Sequence, residues 1–238
     1  MPKECFIVAG GQSGIGRSLV SLLQKEVETV FNFDLFKNHD ITNCYEKKVD
    51  LNNYSQLKKK ISEISNEYSI KGIAVVAGIG YITPIHELDS VKFSKEVQDN
   101  LHIVFNMIKA SLPYLVEGSS IVTVSSTSIY GSSGNSVAYA AAKAGVIGLT
   151  KSLAMELSSK NIRVNCVVPG AVNTQLFESL TRPTERRLMK EFTPLKKIAE
   201  PVDVANSIQF LLCDKSKHIT GQSLVVDGGL SMAYKLYL

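Results

Sequence analysis

Apolar and polar positions along the chain alternate between short apolar runs and longer amphipathic stretches. "CFIVAG" (5–10) is an apolar run ending in glycine, the pattern of a buried strand. Residues 15–25 read as a helix, and "TVFNFD" as a second strand ending at Asp34. "CYEKKVD" is a polar third strand ending at Asp50, expected nearer a sheet edge. Over 54–67, Leu57, Ile61 and Ile64 share one stripe, which predicts a helix. "IAVVAG" predicts a fourth strand, 89–112 a long helix closed near Pro113, and "SIVTVSS" a fifth strand. Residues 137–158 predict another long helix and "IRVNCVVPG" a sixth strand. The stretch from Ala171 to about Leu195 is irregular or short-helical; 201–212 is helical with proline in its first turn, and "SLVVDGG" is the last strand.

Strand and helix patterns thus alternate throughout, and most strands are near-continuously apolar. The expected fold is α/β: a Rossmann-type doubly wound parallel sheet of about seven strands with helices on both faces, in a single domain. The link from Asp34 to Cys44 is too short for a full crossover helix, so a trimmed loop or a single turn is expected there.

At 238 residues the chain buries roughly 70% of its extended surface and needs no metal or disulfide to hold it together. Its formal charge of +4 gives no reason to expect a nucleic-acid partner. Cys5, Cys44, Cys166 and Cys213 are far apart and read as small hydrophobes in a reducing compartment, a catalytic thiol being the minor alternative. No run approaches the ~20 apolar residues of a membrane span. A strand begins almost at once, leaving no room for a secretion signal, so a cytoplasmic location is expected.

"AGGQSGIGRSLV" (9–20) follows a strand and opens a helix, which sets free backbone N–H groups against an anion. Gly10 permits the turn, Gly14 leaves room for a pyrophosphate, and Gly16 lets helix and strand touch. In isolation such glycines also serve turns and tight packing. Asp34, at the end of the next strand, suits adenosine ribose hydroxyls and repels a 2′-phosphate, which favours NAD over NADP; Arg17 and Lys37 soften that repulsion. Asp34 capping a turn is the plainer alternative.

"SVAYAAAKAG" sets Tyr139 and Lys143 four apart, on one helix face, with small residues between them. A phenol with a pKa of about 10 is a poor base near neutrality. Lowering it by two or three units takes roughly 3–4 kcal/mol, which a cation about 4 Å away supplies in a partly screened site. From spacing alone, a tyrosine at a helix interface beside a solvated lysine is the plainer reading.

At this point the chain resembles the classical short-chain dehydrogenases/reductases, over 5–229. "GGQSGIG" matches the family's cofactor loop, "VDL" its adenine segment, and Asn100 in "VQDNLHIVF" its active-site asparagine. Ser126 in "TVSS" stands thirteen residues before Tyr139, "YAAAK" is the family's Y-x-x-x-K, and "PGAVNT" and "ITGQSLVVDGG" match its later motifs. The resemblance implies an oxidoreductase with Tyr139 as general acid/base and Ser126 positioning the reacting oxygen. Lys143 would lower the tyrosine's pKa and hold nicotinamide ribose hydroxyls, and Asn100 would support a proton-relaying water. It implies a cofactor site of Gly10, Gln12, Ser13, Gly14, Ile15, Gly16, Asp34, Asp50 and Leu51, with Tyr139 and Lys143. Pro169, Gly170 and Val172 would lie near the nicotinamide and Thr174 near its amide or the phosphates. No metal is implied.

The chain also departs from the family. Ala9 replaces a threonine, and "VVAG" stands where the family has N-N-A-G. Val75 and Val76 donate no side-chain hydrogen bonds, so cofactor contact there falls to the backbone of Ala77 and Gly78. A substrate lid is expected over about 175–195, with apolar anchors at Leu176, Phe177, Leu180, Leu188, Met189 and Phe192. One of its arginines (Arg182, Arg186 or Arg187) meeting a substrate carboxylate or phosphate competes with a solvated helix face. The loops at 79–81 and 129–131 suggest an apolar site. The resemblance implies a homotetramer, possibly a homodimer, and the apolar tail "LSMAYKLYL" is expected to pack on a neighbouring subunit or over the site. The leading expectation is NAD-dependent hydride transfer with a small-molecule secondary alcohol or ketone. An NADP-dependent 3-ketoacyl-thioester reductase is the alternative, and a non-catalytic dinucleotide-binding regulator a second.

Overall fold

The computed structural model describes residues 3–27, 29–36, 44–131 and 135–233. Seven parallel strands form one sheet in the order β3-β2-β1-β4-β5-β6-β7. They are β1 (Lys3–Ala9), β2 (Val30–Asp34), β3 (Tyr45–Lys48), β4 (Tyr68–Val75), β5 (Leu115–Val124), β6 (Arg163–Pro169) and β7 (Ser223–Val226). The polar third strand is indeed an edge. The helices are α1 (Gly14–Leu23), α2 (Tyr54–Ser65), α3 (Ser90–Val97), α4 (Ile103–Ser111), α5 (Val137–Leu157), α6 (Gln175–Leu180), α7 (Pro183–Phe192) and α8 (Pro201–Leu212).

Side-chain alternation along β1 divides the core. Cys5, Ile7 and Ala9 face one apolar layer, where Leu57 and Ile61 of α2, Val104 and Met107 of α4 and Val146 of α5 pack. Phe6 and Val8 face the other, against Leu19 and Val20 of α1 and Val204 and Ile208 of α8. A strand covered on both faces has no polar side to show, which is why "CFIVA" is unbroken. Cys5 and Cys166 are buried within β1 and β6, and burial pushes the Cys5 thiol up to about 12.

Three expectations change. The helix over 89–112 is interrupted by a π-helical turn, Gln98–His102, between α3 and α4. The wider turn has a local use: it buries Asn100 and Asp99 in the sheet's upper edge. Strand β4 starts at Tyr68 and stops at Val75, because Val76 and Ala77 both turn their N–H groups onto the carbonyl of Ala9. Strand β5 also starts earlier, at Leu115. The 34–44 link is only partly described: Lys37 and the trimmed turn expected beside it lie outside the described residues, as does the tail over 234–238. Among the described residues no helix is long and apolar enough to cross a membrane.

Candidate active site

The first half of the site is the turn between β1 and α1. Gly10 has φ +91°, a conformation that favours glycine, and a Cβ there would stand 2.6 Å from the Ala77 nitrogen. At Gly16 a Cβ would come within 2.0 Å of the Gly10 carbonyl oxygen, so the helix starts against its own loop. A Cβ on Gly14 would meet Thr174 Cγ2 at 3.0 Å, which sets Thr174 against the same loop. Ser13 occupies the N-cap of α1 without a side-chain cap, and the first turn, including Ile15, carries no acidic residue. The helix therefore presents its N–H groups and positive dipole end to the groove.

Asp34 braces this turn. Its Oδ2 accepts from the Gln12 N–H at 3.2 Å, and its Oδ1 from the Phe36 N–H at 3.4 Å. The Gln12 side chain donates to Glu46 Oε1 at 2.9 Å. Gln12 Oε1 is buried and has no partner among the described residues. One residue that sequence reasoning missed belongs here. Asn32, fully buried in β2, accepts from the Gly11 N–H at 2.9 Å. A polar residue inside the apolar run "VFNFD" was the available signal. Asp50 accepts from the Asn52 N–H at 2.9 Å, and Leu51 is buried with its carbonyl held by Asn106 at 3.0 Å.

The second half gathers where β4, β5 and α5 meet. The buried Asn100 brackets the residue after Gly78: its Oδ1 accepts from the Ile79 N–H at 3.1 Å, and its Nδ2 donates to the Ile79 carbonyl at 2.9 Å and to the Glu96 carbonyl at 3.0 Å. A Cβ on Gly78 would lie 2.8 Å from Asn100 Oδ1 and 3.1 Å from Lys143 Nζ. Lys143 is buried, donates to the Val124 carbonyl at 3.1 Å, and has its own carbonyl held by the Ser125 hydroxyl at 2.8 Å. Burial lowers its pKa to about 8. Ser126 accepts from the Ser128 N–H at 3.2 Å, starting the tight turn Thr127–Tyr130. Tyr139 is half-buried on α5 and hydrogen-bonds with Ser126. Burial pushes its phenol above the ordinary value, the Ser126 contact pulling the other way.

On the far side of β6, Gly170 donates to the Val226 carbonyl at 3.0 Å, and a Cβ on it would meet Asp227 Cβ at 2.7 Å. Pro169 closes β6, and Val172 bridges to Ala199. Thr174 caps α6 through the Phe177 N–H at 3.2 Å. Leu176 and Leu180, two of the expected anchors, reach the loop after β4: a Cβ on Gly80 would stand 2.3 Å from Leu180 Cδ1 and 3.4 Å from Leu176 Cδ1. Arg182 pairs with Glu185 at 2.8 Å, and Arg186 donates to the carbonyls of Thr181 at 2.8 Å and Glu178 at 3.2 Å. These two arginines serve the joint between α6 and α7, where the carbonyls ending a short helix need donors. A cavity of about 750 Å³ lies where the Thr127–Tyr130 turn ends, lined by Tyr130, Leu195, Val226 and Met232 among others.

The groove fits a dinucleotide. Its glycines let the helix start close against the loop, its helix end favours anions, and the unpartnered Gln12 oxygen calls for a donor such as a sugar hydroxyl.

Residues 9–231 match a family described as enoyl-(acyl carrier protein) reductase. The 3-oxoacyl-[acyl-carrier-protein] reductase of Thermotoga maritima is 35% identical, across 96% of this chain and 97% of its own. The protein of the same description from Chlamydia muridarum is 30% identical, across 96% and 98%. Among solved structures, a short-chain dehydrogenase family protein from Francisella tularensis superposes with a TM-score of 0.89 at 32% identity, covering 97% of this chain and 99% of that one. The aldohexose dehydrogenase of Thermoplasma acidophilum, in ligand-free form, gives a TM-score of 0.92 at 28% identity, covering 100% and 97%. The chain is an oxidoreductase of the classical short-chain dehydrogenase/reductase family, whose members bind a nicotinamide dinucleotide.

Proposed function

We propose that this enzyme interconverts a small-molecule ketone and its secondary alcohol, with NAD(H) as the partner and Tyr139 as the proton-transfer group. The observation that carries the reading is the cluster of Ser126, Tyr139 and Lys143: the phenol hydrogen-bonds with Ser126, and the buried amine lies 5.7 Å from the centre of its ring.

Gly10, Gln12, Ser13, Gly14, Ile15 and Gly16, with Thr174, would hold the diphosphate, and Asp34 the adenosine ribose. Asp50 and Leu51 would meet the adenine, Ala77 and Gly78 the middle of the groove, and Pro169, Gly170 and Val172 the nicotinamide. When bound, the dinucleotide gives or takes the hydride. The chain's own part is the proton. Ser126 hydrogen-bonds to the reacting oxygen and fixes its distance from Tyr139. In reduction the phenol O–H passes its proton to that oxygen; in oxidation the phenolate takes it back. Lys143 holds the other end of the exchange, and Asn100 keeps the Ile79 backbone where the amine can reach water. The segment 175–195, with Leu176 and Leu180 against Gly80, acts as the lid that keeps bulk water out. Ile79 and Ile129, in the loops after β4 and β5, suit a hydrophobic or cyclic body. The enzyme works as a homo-oligomer, a tetramer being the first expectation and a dimer the second, in the cytoplasm.

A second reading has one specific support. The relatives from Thermotoga maritima and Chlamydia muridarum, 35% and 30% identical across nearly the whole chain, are both described as 3-oxoacyl-[acyl-carrier-protein] reductases. A 3-oxoacyl thioester is itself a ketone, so the same residues would act on it, with NADP in place of NAD.

The test is a panel of simple ketones, cyclic ketones and 3-oxoacyl thioesters, followed at 340 nm with NADH and with NADPH. Turnover that falls about 10²–10⁴-fold in Tyr139→Phe supports the proposal. A folded, cofactor-binding protein that turns over none of them overturns it. Thioesters reduced far faster than the rest, with NADPH, establish the second reading instead.

A further inference from the structure

Next to Asn100 lies a carboxylate that the proton-transfer scheme does not use. Asp99 is only 3% exposed, in the π-helical turn. Its Oδ2 accepts from the Tyr81 phenol at 2.6 Å and its Oδ1 from Asn52 Nδ2 at 3.1 Å, while the Lys95 ammonium reaches both oxygens. Burial raises its pKa, but the hydrogen bonds from Lys95, Tyr81 and Asn52 outweigh that and hold it below the ordinary value. The Tyr81 phenol is pushed up to about 12, first by burial and then by Asp99, so it remains a donor.

The three partners come from different places. Asn52 belongs to the turn after β3 that carries Asp50 and Leu51. Tyr81 belongs to the loop after β4 that begins at Gly78 and is bracketed by Asn100 at Ile79. Lys95 is on α3, one turn before Asp99. One side chain therefore joins the adenosine end of the groove to its catalytic end. It does so where β4 ends at Val75 and Val76 follows, two residues whose side chains can tie neither loop. An ionised carboxylate is costly to bury unless it is paired and hydrogen-bonded, so this one fixes the loops that satisfy it.

We propose that Asp99 is a positioning residue that ties the turn at Asn52 to the loop at Tyr81 and thereby preforms the groove for the dinucleotide. This rests on the reading that the groove binds a nicotinamide dinucleotide. Neither partner needs to touch the ligand; each acts through Asp99.

The test is a set of binding titrations read from nicotinamide fluorescence with NADH, or with NADPH if wild type binds that more tightly. Tyr81→Phe removes one hydroxyl and Asn52→Ala one amide. Each is expected to raise Kd three- to tenfold, and to raise the cofactor KM equally with kcat within twofold. Asp99→Leu is expected to raise Kd at least tenfold, and adding either partner substitution to it changes Kd less than twofold. If Asp99→Leu does not fold, the Tyr81→Phe/Asn52→Ala double variant decides: its effect is expected to fall well short of the product of the two singles. Single variants that leave Kd within twofold of wild type, or effects that multiply, overturn the proposal. Failure of wild type to bind either nucleotide would instead overturn the reading beneath it.

Discussion

The ammonium nitrogen of Lys143 lies 5.7 Å from the centre of the Tyr139 ring, on the same face of α5. Both groups are shifted by burial, in opposite directions: the amine down to about 8, the phenol above its usual value. The buried amine loses its proton near pH 8, and once neutral it can take up the proton that the phenol gives away. Oxidation needs the phenolate form. We expect kcat/KM for alcohol oxidation to climb about tenfold per pH unit and level off above about pH 8, because kcat/KM reports the free enzyme. Lys143→Ala should move the break above pH 10, towards the isolated phenol. A break that stays at 8 in that variant would remove Lys143 from the pair.

Stability gives an independent reading of the same lysine. Its folded pKa, about 8, is below the ordinary 10.5, so between those values the unfolded chain binds more protons than the folded one. Stability then rises with pH across that window, and below it the buried charge costs about 3 kcal/mol. Lys143→Met removes the charge, at about 1 kcal/mol for the lost bond to Val124. We expect the variant to be inactive, to melt higher than wild type at pH 7, and to lose that advantage as pH approaches 10.5. Thermal melts of both proteins at several pH values would check it. A variant that melts lower at every pH would mean the ammonium is solvated in the folded state.

The fold was largely legible because its cause is local. Two-sided burial turns β1 and β6 into unbroken apolar words, and one-sided burial sets Leu57, Ile61 and Ile64 on a stripe. The glycine turn was legible for the same reason, since φ at Gly10 and the contact at Gly16 are backbone requirements that only one residue type meets. The buried polar ties were not: Asn32 showed only as a polar residue inside "VFNFD", and Asp99 and Ser125 not at all. Each is a single polar residue whose partner lies on another element, and sequence spacing holds no trace of that pairing. The π-helical turn was hidden because the buried positions across it, Glu96, Asn100, Ile103, Val104 and Met107, keep ordinary helical spacing.

Gly16→Ala tests the contact between helix and loop. The added Cβ would stand 2.0 Å from the Gly10 oxygen, 2.8 Å from the Gly10 carbonyl carbon and 3.0 Å from Gly11 Cα. All three are backbone atoms, so no rotamer relieves the clash and α1 must move away from the turn. Overpacking of this kind costs about 1–3 kcal/mol. Because the displaced N–H groups are those facing the groove, NADH affinity should fall more than tenfold in the protein that remains folded. Wild-type affinity in Gly16→Ala would mean the turn is not the diphosphate site.

Arg186 is a candidate for substrate recognition by charge alone, and its contacts argue otherwise. Its guanidinium is spent on the carbonyls of Thr181 and Glu178, the joint between α6 and α7. Arg186→Ala should loosen that joint and raise KM for acidic and neutral substrates by the same factor. Steady-state kinetics with a matched pair of analogues, one bearing a carboxylate, would show it. A loss confined to the acidic analogue would assign the arginine to the substrate after all.

Asp34 offers the sharpest test of cofactor choice. Its carboxylate is already committed to the Gln12 N–H at 3.2 Å and the Phe36 N–H at 3.4 Å, so it cannot swing away from an incoming group without releasing the turn. A ribose 2′-hydroxyl adds a donor to that carboxylate. A 2′-phosphate brings up to two negative charges against it, close to solvent, where the repulsion is screened but not abolished. Wild type should bind NADH at least tenfold more tightly than NADPH, a difference of about 1.4 kcal/mol. Asp34→Ser keeps an acceptor for the Gln12 amide and removes the charge, so the ratio should narrow to within threefold, chiefly by improved NADPH binding. Tighter NADPH binding by wild type, or a ratio unmoved in Asp34→Ser, would show that preference is set elsewhere in the adenosine end of the groove.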